Sequence, residues 1–303
     1  MEFNYKNTVY FHVPIYFEIG IFERINYIYH ALLDTNINRG DIKLIGYGCP
    51  NNCIWNGGRL IMGQQYDIET LEMIISFYKS FLSDIQFTFT NFLLEENDVY
   101  DRYGNALLDL ANRYDIEILI CSDILEKYIR DKYPNIRIAR SIINDATITT
   151  EDLDKYSTIV VSKYKNKDIP YLKALSSFTT HNLFELLVDE QCGIDCPRRA
   201  RDHYEAYNKS QLYIKNDLCK MCTAKDKSSY KQIEILPEEI NDYLDINYNR
   251  FKLSGREKAP LFIESAIRYM IQEEHQQNVR MNAYTSMAEL INEQVKNQMM
   301  RNH

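Results

Sequence analysis

Short, strongly apolar segments alternate with longer amphipathic segments along most of this chain. After Asp67, apolar residues recur with the 3.6-residue period of a helix, and Asp67 itself is a suitable N-cap. The apolar run at residues 116–121 is interrupted only by Glu117, which is the pattern of a parallel strand buried on both faces. Strands are predicted on similar grounds at residues 9–13, 41–47, 85–89, 136–139, 158–161, 183–188 and 250–253. Helices are predicted at residues 22–33, 68–82, 103–114, 124–132 and 261–272.

These segments form about eight β-then-α units, which predict a parallel sheet. No glycine-rich phosphate loop follows the first strand, so a (β/α)8 TIM-type barrel fits these 303 residues better than an open sheet. We therefore predict a barrel over residues 1–275 that includes a cysteine-rich metal-binding segment at residues 189–225. Residues 276–303 are predicted to form an added C-terminal helix, either packed on the barrel or used to form a homo- or heterodimer.

The composition is that of an ordinary globular protein, and it restricts the partners more than the fold. The chain is 45% hydrophobic and 26% charged, and 43 acidic against 35 basic residues give a net charge of −8. This balance argues against broad nucleic-acid binding, although a local basic groove is compatible with it. The first residues lack the pattern of a signal peptide, and no run reaches the roughly 18 apolar residues of a membrane span. A reduced, cytoplasmic protein without a membrane span is expected.

Four of the seven cysteines lie in one short window. Cys192 and Cys196 form a C-x3-C-P element, and Cys219 and Cys222 form a C-x2-C element. Two close pairs of thiolates are the donor set of a zinc site or an iron–sulfur cluster. The C-x2-C pair suits zinc, whereas the C-x3-C pair followed by proline favours iron–sulfur ligation, so the spacing leaves both metals open. Four independent reduced thiols are the alternative. Because Cys192 follows the predicted strand at residues 183–188, the metal is expected at the carboxyl-terminal face of the barrel, where such barrels carry their active sites.

The other three cysteines carry a weaker signal. Cys49 and Cys53 form a second C-x3-C element after the second predicted strand. They are open to three interpretations: a redox pair, an additional source of metal ligands, or two ordinary thiols. Cys121 ends an apolar strand and is expected to be a core residue.

The segment around the first cysteine pair resembles the signature of the peptidase U32 (collagenase-like) family. The residues that carry the resemblance are LLVDEQC at 186–192, CPRR at 196–199 and His203. Three further segments agree with the family in kind and in order. They are GGR at 57–59 for its early glycine–arginine turn, FTFTN at 87–91 for its third strand, and RFKLSGR at 250–256 for its closing strand. The matches span residues 45–272, which is most of the chain.

The resemblance implies a barrel that carries a cluster held by four cysteines. Characterised relatives include iron–sulfur proteins that support oxygen-independent hydroxylation of ubiquinone precursors, transfer-RNA uridine or ribosomal RNA, and others are described as proteases. This chain departs from them in the spacing between Cys196 and Cys219, and it lacks the long C-terminal extensions of the RNA-modifying members. The missing extensions and the negative charge weaken an RNA substrate.

Three basic residues are candidates for binding an anionic substrate at the predicted barrel mouth. Arg59 and Arg256 each adjoin a glycine, where the backbone can approach a ligand closely, and a guanidinium fork suits a carboxylate or a phosphate. Lys252, on the last predicted strand, is grouped with them. A surface ion pair is the alternative for the two arginines.

Candidates for proton transfer are less distinct. Glu190 lies two residues before Cys192 and is either a general base or a partner of the cluster ligands. His203 lies on the helix that follows Pro197 and is either a proton donor or an ordinary surface residue. His12 lies on the first predicted strand, and the pattern does not decide whether it points into the barrel or away from it.

The function favoured by these observations is an iron–sulfur barrel enzyme that performs an oxygen-independent redox modification, such as hydroxylation, of a small or macromolecular substrate. The alternatives are a peptidase that acts on peptides and a non-catalytic binding module in which zinc staples a loop. Neither Gly-x-Ser-x-Gly nor His-Glu-x-x-His occurs in the sequence. Four cysteine ligands would also leave zinc no vacant position for a hydrolytic water.

Overall fold

The computed structural model describes residues 4–57, 64–141, 143, 147–179, 183–189, 200–214, 233–254 and 259–301, with the backbone alone for residues 19–25, 200–203 and 290–301. Eight parallel strands close into a barrel in sequence order, and the last strand pairs with the first. The strands are β1 (Val9–Pro14), β2 (Ile42–Gly48), β3 (Asp84–Phe89), β4 (Glu117–Ile120), β5 (Ile138–Arg140), β6 (Thr158–Val160), β7 (Phe184–Leu187) and β8 (Arg250–Lys252). The predicted (β/α)8 TIM-type barrel is therefore confirmed.

Helices follow the strands, and several of these helices begin at a residue whose side chain caps the first turn. Asp67 and Ser122 accept hydrogen bonds from the backbone N–H groups of Thr70 and Leu125, at 2.8 and 3.3 Å. The helices are α1 (Ile19–Leu33), α2 (Ile68–Lys79), α3 (Arg102–Arg113), α4 (Asp123–Lys132), α5 (Thr150–Lys155), α6 (Ile169–Ser176), α7 (Ala200–Gln211), α8 (Ile240–Leu244), α9 (Ala259–Met270) and α10 (Glu273–Arg301). Helices α5, α6 and α8 are absent from the sequence-based prediction because five to eight residues are too few to establish a helical period.

Side chains on each strand alternate between the barrel interior and the face that the helices cover. On β1, the Phe11 ring lies 6.3 Å from the ring of Tyr269 on α9, so Phe11 faces the helices. The neighbouring residue, His12, therefore faces the interior. On β8, Phe251 lies beside Phe11 in register, with 6.1 Å between ring centroids, so Lys252 also faces the interior. The orientation of His12 that the sequence leaves open is inward.

Part of the barrel interior is filled by a hydrogen-bonded carboxylate. Glu117, at the start of β4, is buried and accepts hydrogen bonds from Gln86 Nε2 at 2.6 Å and from Thr158 Oγ1 at 3.0 Å. Ser157 Oγ donates a further bond of 2.7 Å to this carboxylate. Because Glu117 and Thr158 begin their strands, the network lies toward the amino-terminal end of the barrel, which in this fold serves stability.

The C-terminal helix α10 begins at Glu273 rather than at residue 276, and its first half packs on the helical layer. Val279 and Ala283 are buried in the main core. Arg280 Nε donates to the Glu264 carboxylate of α9 at 3.0 Å. No helix in the described ranges is long and apolar enough to cross a membrane. A homo- or heterodimer through this helix stays a prediction.

Candidate functional site

Three ionisable side chains meet inside the barrel. Oε2 of Glu185 on β7 lies 2.8 Å from Nδ1 of His12 on β1, and its Oε1 lies 3.0 Å from Nζ of Lys252 on β8. The side chains of His12 and Glu185 are fully buried, whereas that of Lys252 keeps 11% of its surface exposed. One carboxylate thus joins an imidazole and an ammonium group away from bulk water. We call His12, Glu185 and Lys252 the interior trio.

Strand pairing brings the interior trio together. His12 and Lys252 are direct partners in the register of β1 and β8. Glu185 pairs with Arg250, which lies two residues before Lys252 and on the same face of β8. Because β1 and β8 are neighbours only when the sheet closes, closure of the barrel is what creates this cluster.

An aromatic ring helps to hold the ammonium group of Lys252. Its Nζ lies 4.2 Å from the centroid of the Tyr47 ring on β2, within the range of a cation–π interaction. The hydroxyl of Tyr47 donates a hydrogen bond of 2.6 Å to the carbonyl of Leu253, which limits the movement of the ring. Lys252 is therefore held between a carboxylate and an aromatic face.

The electrostatic balance of the interior trio depends on its two basic members. Burial alone would raise the pKa of the Glu185 carboxyl group, but the adjacent His12 and Lys252 outweigh the lost hydration and hold that pKa well below its usual range. Glu185 is therefore ionised at neutral pH. Nδ1 of His12 and the two carboxylate oxygens of Glu185 make only the ion-pair contacts given above, and the fully buried Nε2 of His12 has neither an ion-pair nor a hydrogen-bond partner in the part of the chain that the structure describes. Such an atom is a candidate for contact with a ligand.

The carboxyl ends of β7 and β8 are tied together where the first cysteine segment leaves the barrel. Ser254 N–H donates to Asp189 Oδ1 at 2.6 Å. The chain comes back to the same place after the second cysteine segment, because Ile235 N–H donates to the carbonyl of Val188 at 3.0 Å. Asn166 adds a link by donating to the carbonyl of Ile233 at 2.8 Å. Residues on either side of 190–232 therefore lie at the carboxyl-terminal mouth.

Helix α7, between the two cysteine segments, is docked on the same mouth by Asn208. This side chain is fully buried and donates to the carbonyl of Gly57 at 2.6 Å, after β2. It also accepts a bond of 2.7 Å from Phe92 N–H, after β3. Asn91 Nδ2 donates to the carbonyl of Ile54 at 2.8 Å, which joins the β2 and β3 ends directly. Asn208 thus connects α7 to the segments that follow β2 and β3.

Replacing Asn208 by alanine is expected to lower the free energy of unfolding by about 2 kcal/mol, because it removes the hydrogen bonds that this side chain makes to the Gly57 carbonyl and to the Phe92 N–H. Urea unfolding followed by circular dichroism measures the change. Asn282→Ala, which removes an exposed bond of 3.0 Å to the Tyr27 hydroxyl, is the control and should change stability little. Equal losses in the two variants would show that Asn208 does not anchor α7.

The structure describes only part of the site that the sequence predicts. Lys252 lies in the interior trio. His203 lies on α7 as predicted, with its side chain outside the described residues. The residues that lie wholly outside them are Arg59, Glu190, Cys192, Cys196, Cys219, Cys222 and Arg256. Among the residues that are described, no three or more His, Cys, Asp or Glu side chains are grouped to hold a metal ion. The cysteine ligands and the flanking site residues stay predictions.

The three described cysteines are Cys49, Cys53 and Cys121. Cys49 and Cys53 are fully buried in the main core. Cys121 is only partly buried, because it follows β4 at an inward position near the mouth, and its Sγ donates to the Thr90 carbonyl at 2.9 Å. Burial of the thiol and the nearby Asp123 raise the pKa of Cys121 well above its usual range, so it stays protonated.

Sequence reasoning does not identify Glu185 and Tyr47 as site residues. A signal for Glu185 exists, since it is the one charged residue in the apolar strand segment 183–188. An isolated carboxylate in a buried strand requires a partner, and the same holds for Glu117. The signal cannot name that partner, because His12 and Lys252 lie on strands far away in the sequence. Tyr47 carries no comparable signal.

Together these features define a (β/α)8-barrel protein with a polar interior below its carboxyl-terminal mouth. No protein-family model matches the sequence, and no curated protein matches it significantly. Among solved structures, that of the U32 peptidase Mk0906 aligns with 85% of this chain and 95% of its own, at a TM-score of 0.48 and 12% sequence identity. This similarity is too distant to transfer a site or an activity.

Proposed function

We propose that this protein is a barrel enzyme whose cysteines Cys192, Cys196, Cys219 and Cys222 hold a 4Fe–4S cluster at the mouth. Its reaction is an oxygen-independent redox modification, of hydroxylation type, of a substrate that carries an anionic group. The observation that best supports the proposal is the attachment of both flanks of residues 190–232 to the strand ends above the interior trio.

The donor set is compatible with such a cluster. Four thiols in two close pairs suit a 4Fe–4S cluster, and they also suit zinc. The bonds at Asp189, Asn208 and Ile235 keep the described flanks of both pairs at one opening. When bound, a cluster would supply one-electron transfer to a substrate in the mouth.

The chain's own residues would bind and orient the substrate. Lys252 stands at the carboxyl end of β8 with a small part of its side chain exposed, and it has N–H donors besides the one that faces Glu185. It can therefore bind a carboxylate or phosphate oxygen that enters from the mouth. We assign the same task to Arg59 and Arg256, and proton transfer at the mouth to Glu190 and His203.

Anaerobic purification with metal analysis, absorbance and EPR spectroscopy tests the proposal. Wild-type protein is expected to contain about four iron atoms per chain and to show thiolate-to-iron charge-transfer absorbance. Alanine at Cys192 or Cys219 should abolish both signals. Alanine at Cys121, a thiol outside the four that donates to a backbone carbonyl, is the matched control and should leave them unchanged.

Two results would contradict the proposal. Stoichiometric zinc without iron in anaerobic protein would favour the zinc-stapled binding module. Peptide hydrolysis that persists in the Cys192→Ala plus Cys219→Ala protein would favour a peptidase, because that activity would not depend on the cluster.

A further inference from the structure

We propose that His12 is the proton-transferring residue of the barrel interior, with Glu185 as its positioning residue and Lys252 as the group that binds the substrate oxygen. The substrate class is an acid with an oxyanion, such as a carboxylate, beside the O–H or activated C–H that is deprotonated. This inference goes beyond the proposed function and does not require the cluster.

The contact between Glu185 and His12 decides which imidazole nitrogen is free to react. At 2.8 Å from an ionised carboxylate, Nδ1 carries the proton of the neutral ring, because a carboxylate accepts hydrogen bonds and cannot donate one. Nε2 then has a lone pair. It is fully buried and has no partner among the residues described, so a substrate atom can take the place of a protein partner. A general base needs this arrangement.

The position of Lys252 indicates where the substrate would stand. His12 and Lys252 are direct neighbours across β1 and β8, and the two oxygens of Glu185 contact one nitrogen of each. Lys252 is the member of the interior trio with exposed surface, so it is the one that an entering ligand meets first. A carboxylate bound to Lys252 from the mouth thus comes to the neighbourhood of the His12 ring.

A purely structural purpose explains this cluster poorly. The interiors of such barrels are usually filled by branched apolar side chains, and buried ion pairs seldom stabilise a protein more than apolar packing does. The Glu117 network shows how this barrel satisfies a carboxylate for stability, with neutral donors on Gln86, Ser157 and Thr158. The interior trio differs, because its carboxylate contacts two basic groups, one of which is an imidazole whose second nitrogen, Nε2, has no partner among the described residues.

The proton-transfer step balances within the site. The substrate O–H or C–H bond breaks, a new N–H bond forms at Nε2 of His12, and the electron pair stays on the substrate. Glu185 stabilises the resulting imidazolium, and Lys252 stabilises the negative charge on the substrate. The other groups facing this region are Tyr47 on β2 and, one inward position nearer the amino-terminal ends, Tyr10 and Arg250, which contact each other at 5.5 Å.

Formate, the smallest carboxylate, is a suitable probe for a test by NMR on protein with isotope-labelled histidine. The His12 signals are assigned by their loss in His12→Gln. Without formate, we expect the neutral ring to carry its proton on Nδ1. With formate, Nε2 should become protonated, because a bound carboxylate oxygen needs a donor there. Calorimetry in two buffers of different ionisation enthalpy should then show an uptake approaching one proton per formate bound.

Lys252→Met should abolish the formate response. The matched control is Lys43→Met, because Lys43 also lies over a tyrosine ring, 6.0 Å from that of Tyr10, but near the opposite end of the barrel. Its response should equal that of wild type. Glu185→Gln should weaken the preference for the Nδ1-protonated ring and reduce proton uptake.

A wild-type Nε2 signal that does not respond to formate would overturn the proposal, because Nε2 would then be sealed in the core. An equal response in Lys252→Met would overturn it as well. The wild-type spectrum decides the question even if a variant fails to fold. Metal content and the His12 response are separate readouts, so failure of the cluster proposal is distinguishable from failure of this one.

Discussion

Replacing Glu185 by alanine is expected to lower the free energy of unfolding by about 3–5 kcal/mol, because the substitution leaves the Lys252 ammonium group without its counter-charge and the buried Nδ1 of His12 without the carboxylate beside it. His12 is fully buried, and Lys252 is nearly so. Urea unfolding monitored by circular dichroism measures the loss. This loss is the cost of removing one partner from a buried charge cluster. It does not measure how stable the cluster is compared with apolar side chains at the same positions.

An exposed ion pair provides the control for this prediction. Asp245 Oδ2 lies 2.6 Å from Lys6 Nζ, with the two side chains 58% and 44% exposed. Asp245→Asn is expected to cost less than about 1 kcal/mol, because water screens and solvates both charges. Losses of similar size in Glu185→Ala and Asp245→Asn would show that the interior trio is hydrated in solution, contrary to the structure.

The pH dependence of stability follows from the same carboxylate. Its pKa in the folded protein is lower than in the unfolded chain, so its ionised form contributes stability that is fully present above the unfolded pKa of about 4.3. That contribution is lost as the pH falls below this value toward the folded pKa. The difference in stability between wild type and Glu185→Gln should therefore be constant near neutral pH and shrink on acidification. A difference that grows on acidification would contradict this assignment.

Gly57→Ala is expected to lower the free energy of unfolding by about 3 kcal/mol, at the upper end of the cost of overpacking. A Cβ atom at Gly57 would lie 1.8 Å from the Thr90 carbonyl oxygen and 2.2 Å from Asn91 N. These atoms belong to the backbone and cannot move without displacing the chain after β3. The same displacement would strain the hydrogen bond from Asn208 to the Gly57 carbonyl. The unfolding transition of this variant should therefore lie at a lower urea concentration than that of wild type.

Gly46→Ala is the matched comparison, because it adds the same methyl group at a place bordered by side chains. Its Cβ would meet Ile15 Cγ2 at 2.5 Å and Leu82 Cδ1 at 2.6 Å. Both atoms belong to side chains rather than to the backbone, and Leu82 Cδ1 ends a rotatable side chain, so we expect a smaller loss of about 1–2 kcal/mol. If Gly46→Ala lowered the free energy of unfolding as much as Gly57→Ala, the loss in Gly57→Ala could not be attributed to crowding of the backbone at the mouth.

The sequence predicts the strands of this barrel well because the signal is local. A strand packed between helices and a filled interior is apolar along most of its length, and β4 is an example. Boundaries differ by a few residues; β5, for instance, is Ile138–Arg140 rather than 136–139. Short helices such as α8 escape prediction because tertiary packing, and not periodicity, stabilises them.

The candidate site divides into a part that local spacing reveals and a part that it does not. Four cysteines at close spacing, from Cys192 to Cys222, indicate a metal site because metal ligands often lie near each other in sequence. The interior trio has no such spacing, since Glu185, Lys252 and His12 lie on three strands. In an apolar run such as that around His12, the alternation of faces also does not show which face is inward.

The sequence by itself thus determined the class of fold, the order of the strands and a cysteine set suited to a metal, since each depends on residues near one another in the chain. Only the tertiary structure decided that His12 points inward, that Glu185 is its partner, and that Lys252 lies beside both. The physical reason is closure of the barrel. Pairing β8 with β1 places one carboxylate within 3.0 Å of two basic groups from the two ends of the sequence.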